Sequence, residues 1–424
     1  MRFRHAAALT LLAATAVGLL LTRDHWLPVP RASGPLPHSV YVWQRQADAP
    51  LRTALREHAG AFAHVNRLAA EVAWTPDGPQ VARAALPVDE LRPLASLGLT
   101  LRLGSLPGEI IGQPDDPRIP YLQNLAADLL AEALGHGLPV TELHIDFDAA
   151  ESQLFGYANW LRALRPTLPA DIRLTLTALP AWLDQRAGFA ALLDATDGYV
   201  LQVHSLERPR ADNPSFMLYR IDAARRAVER AARFGKPFVV SLPTYGYRLL
   251  FDQAANTSRI ALGNLPAELP PGLSLRTVHT SPADMLDLLQ GWTTDRPAAL
   301  IGIIWFRLPV ADDDLNWSWP TLATVMTGQL PAPALRLHID RSRSPLIELH
   351  LRNTGTDTFA GPVRIRLDHL DNLLASDTRP PFLADADGSC TTPFLRLAPD
   401  RTAPVAWLRF TTPTPDFHAS LETP

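Results

Sequence analysis

From His38 onward, short runs of β-branched or alternating apolar residues take turns with longer runs whose apolar positions recur every three to four residues. The first period is that of a strand and the second that of a helix. Eight runs predict strands: His38 to Gln44, Arg67 to Trp74, Thr100 to Leu106, Glu142 to Asp148, Arg173 to Leu179, Gly198 to Ser205, Pro237 to Thr244 and Ala299 to Leu308. Between them, Tyr121 to Leu134, Gln153 to Leu164 and Met217 to Phe234 read as helices, the last stopped by Gly235. Strands alternating with helices over about 290 residues give the α/β class and the size of a (β/α)8 TIM barrel. A doubly wound open sheet is the rival architecture. No Gly-rich phosphate loop follows the first strand, so the dinucleotide-binding form of that rival loses its main support. Two departures from a minimal barrel are expected: an extra strand or hairpin at Pro79 to Leu86, and an inserted loop at Phe251 to Pro282.

The pattern changes at both ends. After Met326, Pro331 and Pro333 mark a boundary, and Ala334 to Ile339, Ile347 to Leu351 and Val363 to Leu367 alternate like antiparallel strands, with Asn353-Thr354-Gly355 as a turn. A small β-sandwich over 331–424 is expected, following a barrel domain over 38–330. At the other end, Arg2, Arg4 and His5 precede an apolar stretch from Ala6 to Leu21, closed by Arg23 and Asp24. That order is the order of an export signal, so residues 1–25 read as a signal peptide or a membrane anchor and 26–37 as a Pro-rich linker. The stretch spans only about 24 Å as a helix, short of a roughly 30 Å hydrocarbon core, which favours the signal peptide. The small-residue pattern Ala14-Thr15-Ala16 is followed by apolar residues, a poor cleavage context, which keeps the anchor open. Either reading places the body in the periplasm or outside the cell, with the membrane touched only through this segment.

Composition excludes more than it suggests. The formal net charge is -4 and no basic run interleaves with aromatics, so nucleic acid is not an expected partner. Lys236 is the one lysine, which carries no functional meaning here. Cys390 is the one cysteine, so neither an intrachain disulfide nor a cysteine-based zinc cluster can form. Asp312-Asp313-Asp314 lacks the spaced ligands and glycine of a calcium loop and reads as a solvated turn. His144 and His204 would need a third zinc ligand that the spacing does not identify, and no cofactor or metal is expected.

In a barrel, polar residues at the carboxyl ends of apolar strands face the catalytic mouth. The fourth strand, Leu143-His144-Ile145-Asp146-Phe147-Asp148, sets His144, Asp146 and Asp148 on one face. Two carboxylates whose Cα atoms lie about 6 to 7 Å apart repel each other, which pushes one toward the neutral acid that glycosidic bond cleavage requires. The alternative is an arginine or cation site that holds the barrel mouth, or a helix cap by Asp148. Gln202 and His204 share a face of the sixth strand, His204 being a site residue or a satisfied structural histidine. Tyr245 and Tyr247 follow the seventh, as ligand contacts or loop packing, and Trp305 and Arg307 share a face of the eighth. Glu71 and Arg102, on the second and third, could complete the lining or simply form ion pairs.

The fourth-strand run resembles the signature of chitinase-like glycoside hydrolases, in which acids alternate along the strand and the last, a glutamate, protonates the leaving group. Here that position holds Asp148, one methylene shorter, with Glu151 the next acid. A closer likeness covers most of 38–330, through Tyr41-Val42-Trp43-Gln44, His144 to Asp148, Leu176 to Trp182 and Leu201-Gln202-Val203-His204. It is to an uncharacterised bacterial family, domain of unknown function 3142, distantly similar to those glycosidases. The resemblance implies that Gln202 and His204 contact a sugar's polar groups and that Trp305 is a sugar-stacking floor. The expected function is an exported glycoside-hydrolase-like protein acting on an envelope or extracellular polysaccharide or oligosaccharide, with Asp148 as general acid and Asp146 assisting. Inversion would need a second carboxylate roughly 6.5 to 9.5 Å away, for which Glu71 is the candidate from another strand, whereas a substrate-assisted route would need no protein nucleophile. The competing readings are a non-catalytic glycan-binding or envelope assembly protein on a degenerate barrel, and a purely structural envelope component.

Overall fold

The computed structural model describes residues 28–104, 116–207, 216–252, 257–260, 270–311, 313–413 and 415–422. The expected export segment, Leu106 and Asp312 lie outside the described residues. No helix among those described is long and apolar enough to cross a membrane. The chain divides into two compact units, residues 1–280 with 287–316, and residues 281–286 with 317–424.

The first unit is the expected barrel. Strands β1 (His38–Val42), β2 (His64–Thr75), β3 (Leu97–Leu103), β4 (Val140–Phe147), β5 (Arg173–Ala178), β6 (Gly198–Gln202), β7 (Phe238–Pro243) and β8 (Leu300–Phe306) each pair in parallel with the next. Strand β8 pairs back to β1, closing the ring. Closure satisfies every edge, so a mostly apolar parallel sheet can sit in the middle of the unit with its outer face covered by helices. The connections carry α1 (Ala49–His58), the single-turn α2 (Val88–Leu91), α3 (Arg118–Gly135), α4 (Leu154–Leu164), α5 (Arg186–Asp194), α6 (Ile221–Ala232) and α7 (Pro282–Thr294), and α8 (Trp319–Met326) follows β8. Helix α1 starts where Asp48 accepts a 3.0 Å bond from the Leu51 amide, a side-chain cap that satisfies one of the free first-turn donors. Helix α4 shows why its sequence docks. Tyr157, Trp160, Leu161 and Leu164 recur at helical spacing and are fully buried, with Tyr157 edge-on to Phe147 of β4 and to Trp182.

Three stretches differ from their expected form. The predicted helix at Met217 begins only at Ile221, because Tyr219 makes an antiparallel bridge to His204 and the Ser205 amide bonds the Leu218 carbonyl at 2.7 Å. The extra segment near Pro79 is a strand, Gly78–Arg83, folded back antiparallel on β2. The inserted region after β7 is a sheet, with Gly246–Asp252 pairing to both Thr257–Ile260 and Leu273–His279. Residues Arg31 and Ala32, within the expected linker, pair with Pro297 and Arg296.

The second unit carries the expected β-sandwich, two four-stranded antiparallel sheets. One contains Leu335–Arg343, Leu346–Asn353, Thr402–Phe410 and Leu373–Thr378, and the other Leu383–Ala384, Cys390–Leu397, Phe359–Asp368 and His418–Glu422. Their alternating residues form one apolar core that includes Ile347, Leu349, Leu351, Val363, Ile365, Val405 and Phe410.

Inside the barrel the packing is polar on one side. Tyr41 of β1 reaches across to His144 of β4 at 3.0 Å, and His144 also bonds Thr175 at 2.8 Å and Thr177 at 2.9 Å. Deeper, Asn66 bonds Glu142 at 3.2 Å and takes a 2.5 Å bond from Thr100. Buried polar groups of this kind are tolerable because they satisfy one another. Gly98 makes room for them, since a Cβ there would lie 2.7 Å from His64 Nε2 and 3.0 Å from Asn66. Replacing Gly98 by Ala is therefore expected to destabilise the barrel by about 1–3 kcal/mol, read as a lowered midpoint in urea unfolding.

Candidate active site

The site begins with the two-residue period of β4. Asp146 is 4% exposed inside the barrel, while Asp148, one pleat further, stands at the mouth with half of its side chain exposed. Arg102, in register beside Asp146 on the adjacent β3, binds both acids. Its Nη1 donates to Asp146 Oδ2 in the closer contact, and its Nη2 donates to Asp148 Oδ2 at 3.3 Å. Asp146 is the nearly buried member, so removing Arg102 would leave its carboxylate without its partner in a poorly hydrated place.

Electrostatics separates the two acids. Burial raises the Asp148 pKa above its ordinary value, the charge of Asp146 raises it further, and Arg102 opposes both without reversing them. Burial also works against the Arg102 charge, but Asp146, Asp148 and Glu71 outweigh it and hold the guanidinium above its usual pKa. Glu71 enters by a backbone irregularity. A bulge in β2 between Leu68 and Ala70 shifts the register, so that Glu71 rather than Ala70 stands opposite Arg102. Arg45, in the loop after β1, donates its Nε to Glu71 Oε2.

The other wall is aromatic. Phe306 lies 5.0 Å from Trp43, 5.4 Å from Tyr245 and 5.7 Å from both Tyr41 and His204, centroid to centroid. Tyr41 and Ile304 are buried in this cluster, whereas Trp43 and Phe306 are only partly buried. His204 is 2% exposed, bonding Ser241 at 3.0 Å and Tyr245 at 3.2 Å through its two ring nitrogens. The chain continues from Tyr245 to Tyr247 at 3.2 Å and from Tyr247 to Ser205 at 2.9 Å. Gln202 donates to the His204 carbonyl. Burial holds His204 neutral, with its pKa lowered to about 3.

The expected Trp305 floor is corrected. Trp305 is fully buried, stacked on His38 at 5.9 Å and donating to its Nδ1 at 3.1 Å, so neither face is open to a ligand. It alternates with Ile304 and Phe306, and Phe306 takes the inward position. Arg307, across a cis peptide from Phe306, pairs with Asp313 at 2.5 Å, and its charge reaches Tyr245. Asp313 and Asp314 are ion-paired, to Arg307 and Arg248, rather than simply solvated. Of the residues singled out from the sequence, Asp146, Asp148, Arg102 and Glu71 form one charged cluster, and Gln202, His204 and Tyr245 form a second with Phe306. Trp43 and Phe306 were missed. The signal for both was there, in the alternation with buried Tyr41 and Ile304. Among the described residues, no group of three or more His, Cys, Asp or Glu side chains is placed to hold a metal ion.

The fold is that of a TIM barrel with a charged cluster and an aromatic cluster at its strand ends, and comparison with solved structures agrees on that fold. The chain is similar to the spore cortex-lytic enzyme SleL of Bacillus cereus, at 13% identity and a TM-score of 0.50, over 72% of this chain and 76% of that one. It is also similar to SleL of Bacillus megaterium QM B1551, at 10% identity and 0.47 over 72% and 76%, and to a chitinase of Chromobacterium violaceum ATCC 12472, at 13% and 0.43 over 69% and 98%. Likeness at these identities speaks for the fold alone. Within that class, residues 108–311 match the family described as "Domain of unknown function (DUF3142)". No curated protein matches the chain in sequence.

The buried histidines give the barrel a pH signature. His204 takes up its proton near pH 6.5 when unfolded but only near 3 when folded, so the stability it supports is intact above 6.5 and is lost progressively as pH falls toward 3. Thermal unfolding across that window should show a falling Tm, with a shallower fall in His204→Gln. Some slope should persist, because burial also lowers the pKa values of His144 and His64.

Proposed function

We propose that the chain is an exported glycoside hydrolase acting on an envelope or extracellular polysaccharide, with Asp148 as general acid and Asp146 as its electrostatic partner. The observation that carries this reading is the state of Asp148. It is a strand-end carboxyl with half of its side chain exposed, and partial desolvation together with the neighbouring Asp146 charge raises its pKa, which shifts it toward the neutral form. A neutral acid at the mouth of a barrel can donate its proton to a glycosidic oxygen as the bond to the anomeric carbon breaks. Asp146 stays beneath it, held by Arg102, and its charge raises the Asp148 pKa. Phe306 and Trp43 offer partly exposed rings to the apolar C–H face of a sugar. Export is supported by the order of Arg2, Arg4 and the apolar stretch from Ala6 to Leu21.

A second reading, a non-catalytic glycan-binding protein, is favoured by one contact. Arg102 reaches Asp148 itself and stabilises the ionised form, which cannot donate. One substitution separates the two. Against chito-oligosaccharides, peptidoglycan glycan strands and a β-1,6-linked N-acetylglucosamine polymer, reducing-end release by the wild type should fall roughly 10²–10⁴-fold in Asp148→Asn, with glycan affinity retained. A wild type that binds one of these glycans without releasing any reducing end would establish the second reading.

The pH profile tests the role of Asp146. Because Asp148 must be protonated to act, activity is lost as pH rises through its pKa. Asp146→Asn removes the repulsion and leaves Arg102 to Asp148 alone, both of which favour ionisation. The alkaline limb of kcat/KM should therefore move to lower pH, and an unmoved limb would separate Asp146 from the acid.

A further inference from the structure

We propose that Glu71 is the general base of the same reaction, so that the barrel hydrolyses with inversion of the anomeric centre. This rests on Asp148 being the acid. The alternative partner, Asp146, is the nearer carboxylate but has 6% of its side chain exposed and is bound to Arg102, so it cannot reach an anomeric carbon as a nucleophile.

Glu71 is also paired with an arginine, Arg45, but its side chain is more exposed than that of Asp146 and the pairing engages only one of its oxygens. The bulge in β2 exists at the one place where it turns a carboxylate toward the mouth, since regular pairing from Leu68 onward would have set Ala70 beside Arg102 instead. Glu71, Arg102 and Asp146 are in register on three adjacent strands, which puts Glu71 about 10 Å from Asp146 at the Cα atoms. Side chains pointing into the ring narrow that gap, and Asp148 lies one pleat above. That places the two carboxyl groups on the inner face of strands two apart, the arrangement an inverting pair with a water between its members requires. The Arg102 guanidinium, which starts from the strand between them, is turned to Asp146 and Asp148. Arg45 holds Oε2 of Glu71, and Oε1 takes no hydrogen bond among the described residues. That free oxygen is the acceptor a water needs.

The step balances with water alone. Glu71 Oε1 accepts a proton from water as its oxygen bonds to the anomeric carbon. On the opposite face, the bond from that carbon to the glycosidic oxygen breaks, and the leaving oxygen takes the Asp148 proton. The product is a hemiacetal of opposite configuration, and proton exchange with solvent resets both acids.

The test uses the full chain and whichever of the three glycans named above it cleaves. Proton NMR during the first minutes of hydrolysis should show the anomer opposite to that of the substrate linkage. Glu71→Gln should lose roughly 10²–10⁴-fold in kcat with an unchanged Tm and unchanged glycan affinity. In Glu71→Ala, added azide should restore turnover and yield a glycosyl azide of inverted configuration. A retained anomer, or a Glu71→Gln variant that stays folded and as active as the wild type, overturns Glu71 as base while leaving Asp148 as acid. Absence of turnover by the wild type on all three glycans overturns the parent reading and this one with it.

Discussion

One guanidinium organises the charged half of this barrel mouth. Arg102 stands between carboxylates on both neighbouring strands, bonded to Asp146 and Asp148 and in register with Glu71. Three acids converging inside a ring of strands would repel one another and resist burial. With Arg102 among them, Asp146 is tolerated at near-complete burial, and Asp148 is left with a balance of opposing influences at the surface. The acids become unequal because their surroundings are unequal, which is how two groups of one chemical type come to serve different roles.

The aromatic half depends on a different economy. His204, Tyr245, Tyr247, Ser241 and Ser205 satisfy one another in a chain of hydrogen bonds, so the barrel buries several hydroxyls and an imidazole without a formal charge. Burial holds that imidazole neutral and raises the pKa of the Tyr245 hydroxyl well above its ordinary value. His204 and Tyr245 thus add no charge to this wall, whereas the other cluster is built of acids and arginines. A neutral, partly aromatic surface opposite a charged one suits a ligand with an apolar ring face and a polar edge.

Trp305 shows where strand-level reasoning stops. Its place near the end of β8, together with the resemblance to chitinase-like barrels, made it the expected platform, yet alternation along the strand gives the inward position to Phe306 and leaves Trp305 buried and stacked on His38. Glu71 shows the converse. Strict alternation from Asn66 would have turned it away from the ring, and a single unpaired residue in β2 turns it inward. In both cases the side chain's direction hung on one residue of register, because a period of two reverses every face with each step.

The sequence by itself determined the period of each element, and therefore the eight strands, the helices between them and the antiparallel pattern of the second unit. It also determined that His144, Asp146 and Asp148 share a face, since that follows from spacing within one strand. What lies between strands was decided only by the tertiary structure: that Arg102 comes into register with Asp146, that a bulge realigns Glu71, and that Trp43 and Phe306 meet across the β1–β8 seam. Those relations depend on hydrogen-bond register between segments tens to hundreds of residues apart, and local hydropathy fixes which face is apolar without fixing which residue stands beside which.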